Sequence, residues 1–146
     1  MYVPLLDALN EDQRIQLAGV TREWTELNRE PLLISNENLQ DLLAVAPHRI
    51  PDRAVRLLAA VSRQTEFFGQ SVDIHVENDI PLAYARNAKE LRHFVDYLHD
   101  EGFVTRGVWT SDPTIDVTVT SRGFEMLEAR TPSGLQSNSA FVAMWF

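Results

Sequence analysis

The apolar residues near the start of the chain recur at helical spacing. Leu17, Val20 and Trp24 lie three and four positions apart, so they form one stripe of a helix that the pattern predicts over residues 5–29. Trp24 is interpreted as a packing anchor of this helix rather than as a ligand contact. Four charged side chains are expected mostly off the stripe: Arg14, Arg22, Glu23 and Glu26.

The ends of this helix and the next two helices follow from capping residues and prolines. Asn10 and the acids after it suit a helix start near residue 11, and Pro31 is expected to end the helix. Shorter helices are predicted over 37–45, capped by Ser35 or Asn36, and over 52–65. On the third helix the expected buried side chains are Val55, Leu58, Ala59 and Val61 or Ser62, with Arg53, Arg56 and Arg63 on or near the opposite side.

The middle of the chain changes to the period of a β-strand. Apolar and polar residues alternate over 71–76 and again over 114–120, so both segments predict half-buried strands. Residues 103–109 predict a strand that pairs with 114–120 as a hairpin with one solvated face. A short helical stretch is expected within 77–87, and a last helix over 122–129 with Phe124 and Leu127 inward.

The strongest helical pattern covers residues 88–101. Asn87 is the expected cap, Glu90 the reciprocal partner of a capping box, and Gly102 the left-handed exit. Its apolar stripe is Leu91, Phe94, Val95 and Leu98.

Together these elements predict an α+β protein, mainly helical. From residue 52 the order is helix, strand, short helix, long helix, hairpin and helix, which is the order of a winged helix-turn-helix domain. The predicted division is an N-terminal helical extension over 1–47, a winged-helix domain over 48–130, a polar linker over 131–139, and a buried strand over 140–146.

Charge and composition narrow the function classes. The net charge is −8, and neither residues 1–47 nor residues 48–130 are basic, which is evidence against a simple electrostatic DNA binder. Cysteine is absent, so disulfides and thiolate chemistry are excluded, and no apolar run is long enough for a bilayer. The start of the chain does not resemble a secretory signal, so a cytoplasmic protein is expected.

The surface of the predicted long helix and hairpin carries the candidate contacts. For nucleic acid or a protein partner these are Arg86, Lys89, Arg92, His93 and Arg106. Asp112 and Asp116 on the hairpin would repel phosphates, so protein contact is favoured over DNA reading. The candidate interface residues are Leu17, Trp24, Phe141, Met144 and Trp145, and a homodimer is expected.

Catalytic and metal chemistry is not expected within the chain. His93 and His99 lie six positions apart, nearly opposite on a helix, and Asp73 with His75 is interpreted as a solvated pair rather than a metal site. Asp96 and His99 are expected to form a weak surface pair. No nucleophile elbow and no phosphate-binding glycine loop occurs, so no catalytic residue, cofactor or metal is predicted.

The last seven residues, 140–146, contain no charged or polar side chain. Such a run is typical of a buried strand of a parallel sheet, so the chain is expected to be the N-terminal part of a longer protein. Within this chain the segment is expected to add to the sheet or to cross to a second copy, burying Phe141, Met144 and Trp145.

Three stretches carry a family resemblance: residues 30–35, 96–122 and above all 139–146, which reads Ser-Ala-Phe-Val-Ala-Met-Trp-Phe. The chain resembles the N-terminal portion of a bacterial family of two-part proteins. In that family a helical segment and a winged-helix-like domain precede a Rossmann-like domain related to Toll/interleukin-receptor and nucleoside-deoxyribosyltransferase folds. The resemblance implies nucleotide or glycosidic chemistry in the second domain, whose pocket residues would follow residue 146, so no catalytic residue carries over.

Three hypotheses remain open at this level. The first is a non-catalytic sensing or protein-interaction module that regulates or positions a downstream nucleotide-processing domain. The second is a DNA-binding regulator that dimerises through its N-terminal helices and contacts DNA through Arg86, Lys89, Arg92 and Arg106. The third is one half of an enzyme that is active only together with the following domain.

Overall fold

A computed structural model describes residues 9–35 and 37–130 as an α+β structure, mainly helical, as the sequence predicts. The described helices are α1 (Glu11–Asn28), α2 (Leu39–Val45), α3 (Ile50–Gln64), α4 (Ala88–Asp100) and α5 (Ser121–Arg130). The strands are β1 (Ser71–His75), β2 (Val104–Arg106) and β3 (Thr114–Val119), and Ile80–Ala83 form a 3-10 helix.

Helix α1 begins where its capping residue predicts and ends within one residue of the predicted end at 29. The Asn10 side chain accepts a hydrogen bond from the Gln13 backbone N–H at 2.8 Å, and the Gln13 side chain accepts one from the Asn10 N–H at 3.1 Å. At the other end Arg29 has a left-handed backbone with a φ of 56°. The helix therefore closes at this left-handed residue, two positions before Pro31 and within one residue of the predicted end.

The starts of the next two helices differ from the prediction. Helix α2 begins at Leu39, because the Asn38 side chain bonds the preceding loop, accepting from the Ser35 N–H and donating to the Leu33 carbonyl, both at 2.8 Å. Helix α3 begins at Ile50, with Pro51 in its first turn, a position where proline costs no hydrogen bond.

The buried face of α3 is rotated relative to the prediction. Its buried residues are Ala54, Leu57, Leu58, Ala60 and Val61, whereas Val55 and Ala59 are half-buried. The three arginines expected on the opposite side instead pair with acids of other elements: Arg53 with Glu90, Arg56 with Glu23, and Arg63 with Glu26. Both sides of α3 are thus in contact with the rest of the chain, which spacing within one helix does not show.

The three described strands form one antiparallel sheet in the order β1-β3-β2. Val72 lies opposite Val117 and Ile74 opposite Ile115, so the alternating apolar residues point to one face as predicted. Ile115, Val117 and Val119 are all buried. Gly102, after α4, has a φ of 82°, which confirms the expected left-handed exit.

Two hydrophobic clusters form the interior. The larger one joins α3, α4 and the inner face of the sheet. The smaller one, here called the N-terminal cluster, consists of Leu9, Leu17, Val20, Leu39, Leu42, Leu43, Val45, Ala46 and Tyr84. Tyr84 is the one member of the N-terminal cluster from the second half of the described chain, so it links the predicted extension to the rest.

Some predictions fall outside the described residues. These are the cap Asn36, the linker 131–139, and the strand 140–146 with Phe141, Met144 and Trp145. Within the described ranges, no helix has the length and apolar character needed to cross a membrane.

Candidate functional site

The start of α4 is fixed by two side chains. Asn87 accepts a hydrogen bond from the Glu90 N–H at 2.9 Å, as predicted for a cap. Glu90 does not return a bond to Asn87. Its Oε1 accepts from the Arg86 N–H at 2.7 Å and from Nη2 of Arg53 at 2.6 Å, so the expected capping box is replaced by a tie to α3.

Beside this helix start lies an apolar groove of about 410 Å³. We call it the α4 groove; its lining residues are Ile50, Asn87, Lys89, Glu90, His93, Phe94 and Tyr97. Phe94 is buried beneath the Arg53 guanidinium, which lies 4.8 Å from the ring centroid. Ile50 is 58% exposed although it is a large apolar residue at the first position of α3.

One positive side chain, Lys89, stands at the rim of the α4 groove. Lys89 and His93 are exposed, and Lys89 pairs with no acid of the described ranges. The acid of the rim, Glu90, is already balanced by Arg53 at 2.6 Å. The groove therefore combines an apolar floor with a rim of net positive charge, in a chain whose overall charge is −8.

A second cluster joins α4 to the β2–β3 hairpin. Trp109 donates a hydrogen bond from its indole nitrogen to Oδ1 of Asp96 at 2.8 Å. Nε of Arg106 lies 2.9 Å from the same oxygen, and the guanidinium carbons of Arg92 and Arg106 lie 5.4 and 5.5 Å from the Trp109 ring centroid. The hairpin is therefore held on α4 by one carboxylate and one indole.

Asp96 was expected to pair with His99, and this prediction is wrong. The Asp96 carboxylate is turned towards the hairpin, while Nδ1 of His99 lies 3.4 Å from the carbonyl oxygen of Val104. The partner of Asp96, Trp109, is 13 positions away in the sequence, so helical spacing could not reveal the contact.

Arg86 lies exposed beside the start of α1. Its guanidinium pairs with Glu11 at 3.0 Å and with Asp12 at 2.5 Å, both in the first turn of α1. The hydrogen bond with Asp12, followed by the charge of Glu11, raises the pKa of Arg86 above its ordinary value. This arginine is thus balanced by two acids of the same chain.

The five predicted contact residues are therefore divided among three places. Lys89 and His93 stand at the α4 groove, Arg92 and Arg106 lie over Trp109, and Arg86 pairs with α1. A polar cleft of about 250 Å³ adjoins Arg86 and contains Asp12, Arg53 and Glu90, but its carboxylates and guanidiniums are already paired with each other.

The outer face of the sheet is acidic next to the hairpin. Asp73 of β1 lies directly opposite Asp116 of β3, and both are exposed. Two like charges in this register destabilise the pair and repel an anion approaching this face. Asp112 adds a third charge at the hairpin tip, where the backbone N–H of Thr114, followed by its hydroxyl, lowers the pKa of the carboxyl.

The sequence pattern did not predict one buried polar network. The hydroxyl of Tyr84 donates a hydrogen bond to Oε1 of Glu23, and Nη1 of Arg56 lies 2.5 Å from the same oxygen. Glu23 is only 3% exposed, so the expectation that it lies off the packed stripe of α1 is wrong. The spacing could have indicated this burial, since Glu23 follows Val20 by three positions and therefore adjoins the apolar stripe of α1.

The network keeps Tyr84 protonated. Burial, followed by the negative charge of Glu23, raises the pKa of the Tyr84 phenol far above its ordinary value. The phenol is therefore a permanent hydrogen-bond donor to Glu23 at physiological pH. Two half-buried ion pairs extend the network along α1: Glu26 with Arg63 at 2.9 Å, and Arg22 with Asp79 at 2.7 Å.

His75 and the two described interface candidates, Leu17 and Trp24, each contact neighbouring parts of the same chain. His75 accepts hydrogen bonds at Nδ1 from the backbone N–H groups of Glu77 and Asn78, so it caps a turn. No group of three or more metal-ligating side chains occurs among residues 9–35 and 37–130. Leu17 is 4% exposed within the N-terminal cluster, against which Trp24 packs half-buried.

Comparison of the chain with known protein families, with curated proteins and with solved structures finds no match.

Proposed function

We propose that this chain is a non-catalytic winged-helix module that acts through contacts with protein. The described order of helix, strand, 3-10 helix, helix, hairpin and helix, with the sheet order β1-β3-β2, is compatible with that fold. In this interpretation α4 occupies the position of the recognition helix and the β2–β3 hairpin that of the wing.

The observation that carries the proposal is that two arginines of the surface formed by α4 and the hairpin are paired with carboxylates of the same chain. Arg106, the cation of the hairpin, is held by Asp96 and Trp109, and Arg86 is paired with Glu11 and Asp12. A protein that reads DNA gains most of its affinity by neutralising phosphates with free cations. The carboxylates beside these two arginines offset their positive charge, so each site attracts a phosphate less than a free cation does.

The second candidate is a DNA-binding regulator, and one observation favours it. Lys89 and Arg92 are both exposed near the start of α4, where a recognition helix meets the edges of bases. Against it stand the exposed carboxylates of the sheet and hairpin, Asp73, Asp112 and Asp116.

Fluorescence anisotropy with a labelled random-sequence duplex of about 30 base pairs separates the two candidates. We expect no saturable binding below about 20 µM protein at ~0.15 M salt, because non-specific affinity in this range depends on free cations. Micromolar binding with a steep salt slope, lost in Arg92→Glu and kept in the charge-matched Arg14→Glu, would overturn the proposal.

The downstream target of the module is proposed from the resemblance of residues 139–146. In a protein of the kind that this stretch resembles, the module would regulate or position a following nucleotide-processing domain. In a protein that carries both parts, removal of residues 1–130 is expected to change the rate of nucleotide turnover or its response to a partner. An unchanged rate and response would contradict this part of the proposal.

A further inference from the structure

We infer that the α4 groove binds an acidic segment of a partner protein that bears large apolar side chains. This inference rests on the proposed function, and it names the place of contact and the chemistry of the partner. The inference is based on two features of this groove: the exposed apolar side chain of Ile50 and the unpaired positive charge of Lys89.

The apolar part of the site is already arranged for contact. Phe94 is fixed in the interior under Arg53, Tyr97 packs half-buried beside it, and Ile50 is 58% exposed on the facing wall. These side chains belong to two helices that Arg53 and Glu90 tie together, so the groove is preformed. A large apolar side chain of a partner would cover Ile50 and remove its surface from water.

The charge of the rim selects the partner. Lys89 lines the groove, is exposed, and pairs with no carboxylate of the described ranges. Arg49, adjacent to Ile50 in the sequence, is likewise exposed and makes no ion pair there. Since Glu90 is balanced by Arg53, carboxylates of a partner would meet positive charge at the rim.

A nucleic acid fits the same site less well. Phosphates would satisfy Lys89 but leave Ile50 and Tyr97 exposed, because a duplex backbone offers no large apolar group to cover them. Burial of both parts of the site requires a ligand that carries carboxylates and apolar side chains together, which a protein segment provides.

Selection from a random 12-residue peptide library displayed on phage tests the inference with the full chain as bait. We expect the selected peptides to be enriched in Asp and Glu together with Leu, Ile, Phe or Trp. A synthetic peptide of the consensus sequence, labelled with fluorescein, then gives the affinity by anisotropy.

Substitutions in the groove locate the binding. Lys89→Glu and Ile50→Glu are each expected to weaken the consensus peptide about tenfold or more, with Ile50→Ala as a milder second variant. A peptide whose acids are replaced by Lys is expected to recover affinity for Lys89→Glu. Two controls are expected to bind normally: Arg14→Glu, matched in charge to Lys89→Glu, and Val108→Glu, a change at an exposed apolar residue of the hairpin loop.

The outcomes distinguish this inference from the proposed function. Peptides without acidic bias, no enrichment over unrelated bait, or affinity unchanged by the Lys89 and Ile50 variants would each overturn the groove as the site. Binding of duplex DNA under the conditions given above would instead overturn the proposed function. Circular dichroism and thermal unfolding of each variant separate loss of binding from loss of fold.

Discussion

The hydroxyl of Tyr84 donates a hydrogen bond to the carboxylate of Glu23, a residue 61 positions earlier in the chain. Arg56 of α3 pairs with the same carboxylate, so three parts of the chain meet at one buried oxygen. The contact fixes α1 on the rest of the described structure. Tyr84 has a left-handed φ of 54° and follows the 3-10 helix, so the residue that makes this contact also ends that helix.

Removal of the Glu23 carboxylate is expected to destabilise the fold strongly. Glu23→Ala leaves the buried ends of Arg56 and Tyr84 without their acceptor, and such a loss costs about 3 kcal/mol or more of unfolding free energy. Glu26→Ala, the same substitution in the same helix, removes a half-buried carboxylate that bridges Arg22 and Arg63, and it is expected to cost less, about 1.5 kcal/mol. Urea unfolding measures both values, and equal costs would contradict a special role for Glu23.

The Tyr84 phenol predicts a dependence of stability on alkaline pH. Its pKa is raised in the folded state, whereas the unfolded phenol ionises near pH ~10. Above that pH the unfolded state binds fewer protons than the folded state, so the unfolding free energy falls by about 1.4 kcal/mol per pH unit from this group. In Tyr84→Phe this contribution is absent, and the stability gap between the two proteins is expected to narrow above pH ~10.

Two measurements check the assignment to Tyr84. Urea unfolding at several pH values between 8 and 11 gives the two curves, and parallel curves would show that Tyr84 ionises equally in both states. Absorbance at 295 nm gives the tyrosinate content of the folded chain. Since Tyr84 stays protonated while folded, the wild type and Tyr84→Phe are expected to show the same tyrosinate content before unfolding.

Gly19 is expected to tolerate no side chain, because of Tyr84. A Cβ atom at Gly19 would lie 2.3 Å from Cδ2 of the Tyr84 ring. Alanine normally stabilises a helix interior relative to glycine by about 1 kcal/mol, but here overpacking is expected to destabilise by about 1–3 kcal/mol.

A double-mutant cycle tests the cause of this effect. In the Tyr84→Ala background the clash is absent, so Gly19→Ala is expected to become neutral or stabilising. A Gly19→Ala cost that is the same in both backgrounds would place its cause elsewhere than the tyrosine ring.

Asp96 is expected to hold the hairpin in place. Asp96→Ala removes the acceptor of the Trp109 indole N–H and the partner of Arg106, so local opening of the hairpin should become easier. The measurement is amide hydrogen exchange of residues 104–119, together with the NMR shift of the Trp109 indole proton.

Asp100→Ala is the matched control, because Asp100 lies exposed one turn further along α4. Faster exchange in Asp96→Ala alone, with about 1 kcal/mol lost locally, is the expected result. The same increase in both variants would attribute the effect to the charge of the helix end rather than to the contact with Trp109.

Local signals predicted the elements and much of the core. Asn10 and Asn87 cap α1 and α4 as expected, because a capping side chain bonds the backbone of its own first turn. Leu91, Phe94, Val95 and Leu98 are buried as their spacing predicts, and the apolar residues of β3 alternate into the core. Each of these features depends on neighbours within a few positions.

Two residues that line the α4 groove, Lys89 and His93, are among the predicted contacts, but their place beside Ile50 was not predicted. Sequence named Lys89, His93, Arg92, Arg106 and Arg86 as one set of contacts, and the structure places them in three surroundings. Whether their positive charge is offset depends on acids elsewhere in the chain, such as Asp12 for Arg86 and Asp96 for Arg106. Such pairings are not encoded by spacing along one helix.

By itself the sequence determined the helices, the hairpin, the class of fold and the acidic balance of the chain, since these follow from local periodicity, caps and composition. Only the tertiary structure decided which charged side chains pair with each other and which are left unpaired among the described residues. Glu23, Arg56 and Tyr84 come together, and Lys89 remains unpaired beside Ile50 among the described residues, because long-range packing sets which faces meet. A side chain's partners across space, rather than its type, decided which charges of this surface are left unpaired.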